Sequence, residues 1–319
     1  ECRDDVTNSN TANGAGQSNG YPQNNAINGS EYGPNVDGTI DWGNNATTFF
    51  TSHYLNWFYD DSLVAPKTRL KIAQEVISTI VATNPNIDFG LLEFNGWEGG
   101  RVTSRLIAEM SEAERTALIK VVNRTQFGGS TPMCESMYEA LNYIAGKPVV
   151  YANERSGDAG WDPEPKDPLA EVTGGGTYIS PDCAYTYIIL MTDGEPQSDT
   201  GANARIKTLT GKTCKEYAAA PGGAAPVCTN KTINGVTACY SENCLPQLTE
   251  YMATTDLDGD DTNGDQYGLT YASGYTAVQQ LLSDAAVNGT GKYYTASDAQ
   301  GLTAAFQGAI TGILSRATT

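Results

Sequence analysis

The sequence predicts an α/β fold built on a doubly wound, mainly parallel sheet. From about residue 68 onward, segments with the 3.6-residue apolar period of a helix alternate with short apolar runs of strand length. Strands that alternate with helices in this way form parallel sheets covered by helices on both faces. With 319 residues, 39% of them hydrophobic, the chain is long enough for one such domain with insertions.

The first half of the domain alternates helix and strand patterns. Ser111 and Glu114 have the spacing of a capping box, which predicts a helix beginning at residue 112. Thr131 followed by Pro132 predicts an N-cap and the first position of another helix. In order, the predicted elements are helix 68–83, strand 87–94, a short edge strand at 99–104, helix 112–124 and a helix whose apolar face carries Met133, Met137, Leu141 and Ile144.

The second half continues the alternation. The apolar run at 187–191 has the length and composition of a buried strand. The elements expected after it are helix 244–252, strand 269–274, helix 276–286, strand 292–295 and a final helix lined by Leu302, Phe306, Ile310, Ile313 and Leu314.

The domain organisation follows from composition. Residues 1–45 are rich in Asn and Gly and have almost no aliphatic periodicity, so they are predicted to be an irregular segment. Residues 46–319 then form the α/β domain, interrupted by long insertions at 147–184 and 195–243.

Charge and histidine content disfavour several functions. The chain has 37 acidic and 19 basic residues, for a formal net charge of −18, which argues against nucleic acid or an anionic membrane surface as a partner. His53 is the single histidine, which argues against Ser-His-Asp catalysis and multi-histidine zinc sites. Glu135 and Glu139 lie one helical turn apart, where a solvated face is a simpler interpretation than an acid–base pair. A non-enzymatic function is therefore expected.

The cysteines indicate an oxidising compartment. Four of the seven lie within one short Gly/Thr/Asn-rich segment without CxxC spacing, which favours disulfides over zinc. The natural nested pairs are Cys214–Cys244 and Cys228–Cys239, and Cys134–Cys183 would be a third, although sequence alone does not fix the pairing. Cys2 is then left over.

Two segments carry oxygen ligands suited to hard cations. Thr131 and Asp193 lie in loops expected at the carboxyl ends of strands, where a hydroxyl and a carboxylate suit Mg²⁺ or Mn²⁺. The second segment, at 256–265, has closely spaced carboxylates typical of a Ca²⁺ loop, although an acidic solvated turn is the alternative. Its candidate ligands are Asp256, Asp258, Asp260 and Asp265.

Five strings in order resemble a known family. The apolar run ending in LMTDGEP, preceded by GGSTP, is similar to the von Willebrand factor A domain, and the whole set resembles the N-terminal region of the PilY1/PilC-type family of type IV pilus tip adhesins and assembly factors. The strings are TRLKIAQEVISTIV at 68–81, STPMCESMYEALNYIAGKPVVY at 130–151, YIILMTDGEP at 187–196, CLPQLTEYM at 244–252 and GKYYTASDAQGLTAAFQGAITGIL at 291–314.

The resemblance implies an adhesion and pilus-assembly role at the cell surface, reached through the periplasm. Its partners would be minor pilins or a surface receptor, and its metal site would use a D-x-S-x-S loop together with Thr131 and Asp193. No such loop lies upstream of residue 68, since Asp60-Asp61-Ser62 lacks the spacing. We expect the first strand and its loop to precede Glu1; loss of both is the alternative. A structural subunit that completes its sheet with another chain, or with a copy of itself, is the alternative function.

Overall fold

A computed structural model describes most of the chain after Lys67. The described residues are 68–95, 99–125, 130–152, 167, 171–172, 177–179, 185–192, 196–197, 199–218, 229–233, 236–259, 266–274, 279–296 and 299–317. The predicted irregular segment at 1–45 and its boundary with the domain lie outside them. Thr68–Thr319 forms one compact unit.

Seven helices and ten strands occur in the described residues, and nearly all of the expected elements are among them. The helices are α1 (Arg69–Thr83), α2 (Glu112–Arg124), α3 (Met133–Ile144), α4 (Asn203–Thr210), α5 (Leu245–Thr254), α6 (Gln279–Asn288) and α7 (Ala299–Ala317). The strands are β1 (Leu91–Phe94), β2 (Gly100–Ser104), β3 (Glu171–Val172), β4 (Thr177–Tyr178), β5 (Tyr185–Thr192), β6 (Lys215–Ala218), β7 (Thr229–Ile233), β8 (Val236–Asn243), β9 (Tyr267–Gly274) and β10 (Thr290–Thr295).

A three-stranded parallel sheet, in the order β10-β9-β5, lies at the centre of the fold. β5 and β9 pair in parallel along their whole length, from Tyr185 opposite Tyr267 to Thr192 opposite Gly274. β1 and β2 form a separate antiparallel pair. The protein is thus a mixed α/β fold, as the alternation of elements predicts.

Helices cover both faces of the parallel sheet because side chains alternate along a strand. On β5, Ile188 and Leu190 belong to the core that contains α3, α5 and α6. The intervening Tyr187, Ile189 and Met191 pack against the core formed by α1 and α7. Strands buried on both sides read as continuous apolar runs, which is why 187–191 stands out in the sequence.

Two helix starts show how far local signals determine structure. Ser111 and Glu114 form the predicted capping box, with the Ser111 side chain accepting from the Glu114 N–H and the Glu114 carboxylate accepting from the Ser111 N–H. The prediction for α3 is wrong by one residue. Pro132, not Thr131, occupies the N-cap position, because the Thr131 backbone is paired with Gln197 in a β-bridge.

The 195–243 insertion contains structure that the sequence does not predict. α4 is followed by a three-stranded antiparallel sheet in the order β6-β8-β7. A disulfide joins Cys214, just before β6, to Cys244, just after β8, with the Cα atoms 4.8 Å apart. This is the predicted outer pair. Cys239 is also disulfide-bonded, whereas Cys228 lies outside the described residues.

The predicted Cys134–Cys183 disulfide is wrong. Cys134 is a free thiol, fully buried in the first turn of α3. Its sulfur lies 3.2 Å from Asn243 Oδ1 and next to the backbone of Cys244, whose own sulfur is bonded to Cys214. Cys2 and Cys183 lie outside the described residues. In the part of the chain that the structure covers, no helix has the length and apolar character needed to cross a membrane.

Candidate functional site

The predicted cation ligand Thr131 lies at the start of α3, where it is partly exposed. Its carbonyl accepts a hydrogen bond from the Gln197 N–H at 3.3 Å. The neighbouring Ser130 hydroxyl donates to the Gln197 carbonyl at 2.5 Å. Gln197 is four residues after Asp193 in the sequence, so the segment that follows Asp193 is fastened beside Thr131. Asp193 itself lies outside the described residues.

The N-terminus of α3 is capped from a distance. α3 has no capping side chain of its own, and its first N–H groups need acceptors. Asp199, 65 residues further along the chain, supplies one: its Oδ1 accepts from the Cys134 N–H at 2.5 Å. A carboxylate at this position also interacts favourably with the positive end of the helix dipole.

The N-terminus of α4 is capped by a side chain of α3. α4 likewise lacks a local side-chain cap. Glu135 of α3 reaches across, and its Oε1 accepts from the Ala202 N–H at 2.9 Å. Glu135 on α3 therefore caps α4, and Asp199, which lies just before α4, caps α3. We call the Glu135–Asp199 pair the double cap.

Burial raises the pKa of both carboxyl groups in the double cap. Glu135 has no exposed surface and Asp199 is 4% exposed. Loss of hydration is the main cause for each, and for Asp199 the negative charge of Glu135 adds to it, so that its pKa is held well above the usual range. The two carboxyl groups interact directly with each other, and neighbouring buried carboxyl groups favour sharing one proton over carrying two negative charges.

Cys134 and Asn243 complete this buried polar cluster. Asn243 donates from Nδ2 to Asp199 Oδ2 at 2.6 Å and accepts from the Leu245 N–H at 3.0 Å. Burial, followed by the charges of Asp199 and Glu135, raises the pKa of the Cys134 thiol well above its ordinary value. The thiol therefore stays protonated, which makes it a poor nucleophile.

Glu139 anchors the other insertion. Its carboxylate accepts from the Val150 and Tyr151 N–H groups, at 3.1 and 2.8 Å, and from the Tyr178 hydroxyl at 2.6 Å. Burial raises its pKa. The predicted solvated face of α3 is thus wrong: Glu135 and Glu139 are both fully buried, and each holds an insertion against the helix.

The acidic loop after α5 is described only in part. Asp256 Oδ1 accepts from the Gln266 N–H at 2.8 Å, and the Leu257 N–H donates to the Gln266 carbonyl at 3.0 Å. These bonds bring the two ends of the loop together. Gly259 has a φ of +71°, a value that favours glycine. Asp258 is partly exposed, whereas Asp260 and Asp265 lie outside the described residues.

Sequence reasoning finds Thr131 but misses Asp199 and Asn243. No local signal marks them, because their partners on α3 are separated from them by 65 and 109 residues. Considering the described residues alone, no three His, Cys, Asp or Glu side chains are grouped so that they could hold a metal ion. In the double cap, Glu135 Oε1 and Asp199 Oδ1 accept from the backbone N–H groups of Ala202 and Cys134.

Comparisons with known proteins give little further information. No family model and no curated protein matches the chain. One solved structure, an aerotolerance-related membrane protein from Bacteroides fragilis NCTC 9343 with multiple mutations to serines, aligns over 78% of this chain and 90% of that chain. Its sequence identity is 12% and its TM-score is 0.34, a likeness that carries no conclusion about this protein.

Proposed function

We propose that this protein is a non-enzymatic adhesion and assembly domain of the von Willebrand factor A type, belonging to a pilus-associated surface protein of the PilY1/PilC kind. Its ligand would be a carboxylate-bearing protein or surface group, captured through a divalent cation held by Thr131 and Asp193. The partners would be minor pilins or a surface receptor outside the cell.

The observation that carries the proposal is the pairing of Thr131 with Gln197. The backbone of Thr131, a partly exposed residue just before α3, pairs with Gln197, which is four residues after Asp193 in the sequence. β5 ends at Thr192, so Asp193 is the first residue beyond the carboxyl end of a parallel strand, the usual place for a ligand in such sheets. A hydroxyl and a carboxylate are the ligand types that Mg²⁺ and Mn²⁺ prefer.

When bound, the cation would supply positive charge to a ligand carboxylate. The chain's own residues set the geometry: Ser130 and Thr131 fasten the 196–197 segment, and Asp199 fixes the first turn of α3. The resemblance also calls for a D-x-S-x-S loop and a further strand in the sheet. Both would come from sequence other than 68–319.

We extend the proposal to Ca²⁺ at the acidic loop, with Asp256, Asp258, Asp260 and Asp265 as ligands. Asp256 Oδ2 is buried and makes no hydrogen bond with the described residues, although Oδ1 is fully used in closing the loop. An oxygen of that kind is costly to bury without a partner, and a cation would supply one.

A crossed thermal-shift experiment tests both cations. We expect Mn²⁺ to raise Tm by a few degrees, about 2–4 °C for each kcal/mol of binding in a domain of this size. Asp193→Ala should abolish the Mn²⁺ shift, and Asp258→Ala should keep it. With Ca²⁺, Asp258→Ala should abolish the shift in Tm, and Asp193→Ala should keep it. A Mn²⁺ shift that survives in Asp193→Ala would refute the adhesion-type site, and a Ca²⁺ shift that survives in Asp258→Ala would refute the calcium loop.

The alternative function is a structural subunit that completes its sheet with another chain. Among the described strands, β1 pairs with β2 alone and β5 pairs with β9 alone, so each has one edge with no described partner. Exposed strand edges recruit further strands. An ordered oligomer in sedimentation analysis, rather than a monomer, would favour this function over adhesion.

A further inference from the structure

The double cap joins two elements that are far apart in sequence. The N-termini of α3 and α4 face the same buried acidic pair, and the contacts cross between them: Asp199 caps α3 and Glu135 reaches to the start of α4. The two carboxyl groups therefore hold the beginning of the 195–243 insertion against α3.

One oxygen in this cluster lacks a hydrogen-bond donor. Glu135 Oε2 is buried and receives no hydrogen bond from the described residues. Both oxygens of Asp199 already accept hydrogen bonds, from the Cys134 N–H and from Asn243 Nδ2. Two ionised carboxylates that interact directly in a buried site would repel each other strongly, and one shared proton removes the repulsion.

We propose that the double cap is a proton-controlled latch, which holds the 196–203 segment against α3 while Glu135 and Asp199 share a proton and releases it when that proton is lost. This inference does not depend on the proposed adhesion function, because it concerns only how the insertion is fastened.

Among the described residues, no positively charged side chain lies against the latch to neutralise the two carboxylates when the proton is lost. The titratable groups facing the pair are Glu135 and Cys134 on α3 and Asp199 on the insertion. α4 and β8 contribute neutral amides, Asn203 and Asn243. The nearest charges on these two elements, Lys207 and Glu242, pair with each other at 2.5 Å on the protein surface.

The sign of the pH dependence follows from the direction of the shifts. Both carboxyl groups have a pKa raised by folding, so the folded state binds more protons than the unfolded state in the window above their ordinary values. The latch is therefore fully closed at acidic pH, and its contribution to stability is lost as the pH rises through the raised pKa values.

Hydrogen exchange measured by mass spectrometry tests the latch on the whole chain. After correction for the intrinsic effect of pH, we expect protection of the peptides containing Cys134 and Ala202 to fall at least about tenfold between about pH 5 and about pH 9. Protection in α7 should stay constant. Glu135→Gln keeps an acceptor for the Ala202 N–H and supplies a donor to Asp199, so it should remove the pH dependence.

Two further variants keep the test decisive. Glu139→Gln changes another buried carboxyl on the same helix and should leave the pH dependence at Cys134 and Ala202 as in the wild type. Asp199→Asn retains an acceptor for the Cys134 N–H and should behave like Glu135→Gln. Constant protection at both amides in the wild type, or an unchanged pH dependence in both latch variants, would overturn the proposal.

Discussion

Replacing Glu139 with Ala is expected to lower the free energy of unfolding by about 3 kcal/mol, because it leaves two backbone N–H groups and one hydroxyl without their acceptor. The donors are Val150, Tyr151 and Tyr178, and Tyr178 is only 3% exposed. Each abandoned buried donor costs about 1–3 kcal/mol, and release of a buried carboxyl group offsets part of the sum. Urea unfolding at neutral pH measures the change.

Glu139→Gln is the matched comparison for this variant. Glutamine has nearly the same shape, its oxygen accepts from the two N–H groups, and its amide donates to the Tyr178 oxygen. It should therefore lose less than about 1 kcal/mol. Equal destabilisation by Ala and Gln would show that Glu139 stabilises the fold through its charge rather than through these hydrogen bonds.

The second large effect is expected at the Cys214–Cys244 disulfide. The bond closes a loop with a sequence separation of 30 residues. For a loop of that length the chain-entropy model gives about 3.6 kcal/mol of stabilisation, through restriction of the unfolded chain. The double variant Cys214→Ala/Cys244→Ala should lose about that amount in urea unfolding.

Reduction provides the control for the double variant. Dithiothreitol also reduces the disulfide of Cys239 in both proteins, so the wild type and the double variant should be equally stable when both are unfolded in its presence. The wild type should lose more stability on reduction than the double variant does. If the reduced wild type keeps its full stability, the disulfide does not constrain the insertion. Cys134 is a free thiol in both proteins, so it cancels in the comparison.

Local sequence signals account for most of the elements. The capping box at Ser111 and Glu114 places the start of α2, and the apolar run at 187–191 lies within the longer β5. The capping box acts within a few residues, whereas the apolar run is a local record of burial, since β5 pairs with the distant β9 and packs against helices on both faces. The 87–94 strand is shorter than predicted, beginning at Leu91, because Asp88 instead accepts hydrogen bonds from the Glu109 and Met110 N–H groups.

The interior of the candidate site is not predictable in this way. A glutamate pair one turn apart on a helix is usually solvated, and nothing near Glu135 or Glu139 indicates otherwise. Their burial depends on Ala202 and Tyr178, which lie 67 and 39 residues away in the sequence. The same is true of Cys134, which is a free thiol hydrogen-bonded to Asn243, 109 residues away in the sequence.

Residues at the surface of the candidate site are easier to propose from the sequence. Thr131 is identified from the sequence alone, and it lies partly exposed at the start of α3. Its bridge to Gln197 then supplies what the sequence cannot: evidence that a residue four positions after Asp193 in the sequence is beside it. Asp193 as a ligand stays a prediction.

Cation-dependent binding to pili tests the central claim most directly. Surface plasmon resonance would measure the whole protein flowing over immobilised type IV pili, with Mg²⁺ and then with EDTA. We expect binding in Mg²⁺ that is lost in EDTA and in Asp193→Ala, and that is retained in the matched control Asp258→Ala. Binding that persists in EDTA and in Asp193→Ala would contradict the account, as would the absence of any binding in Mg²⁺.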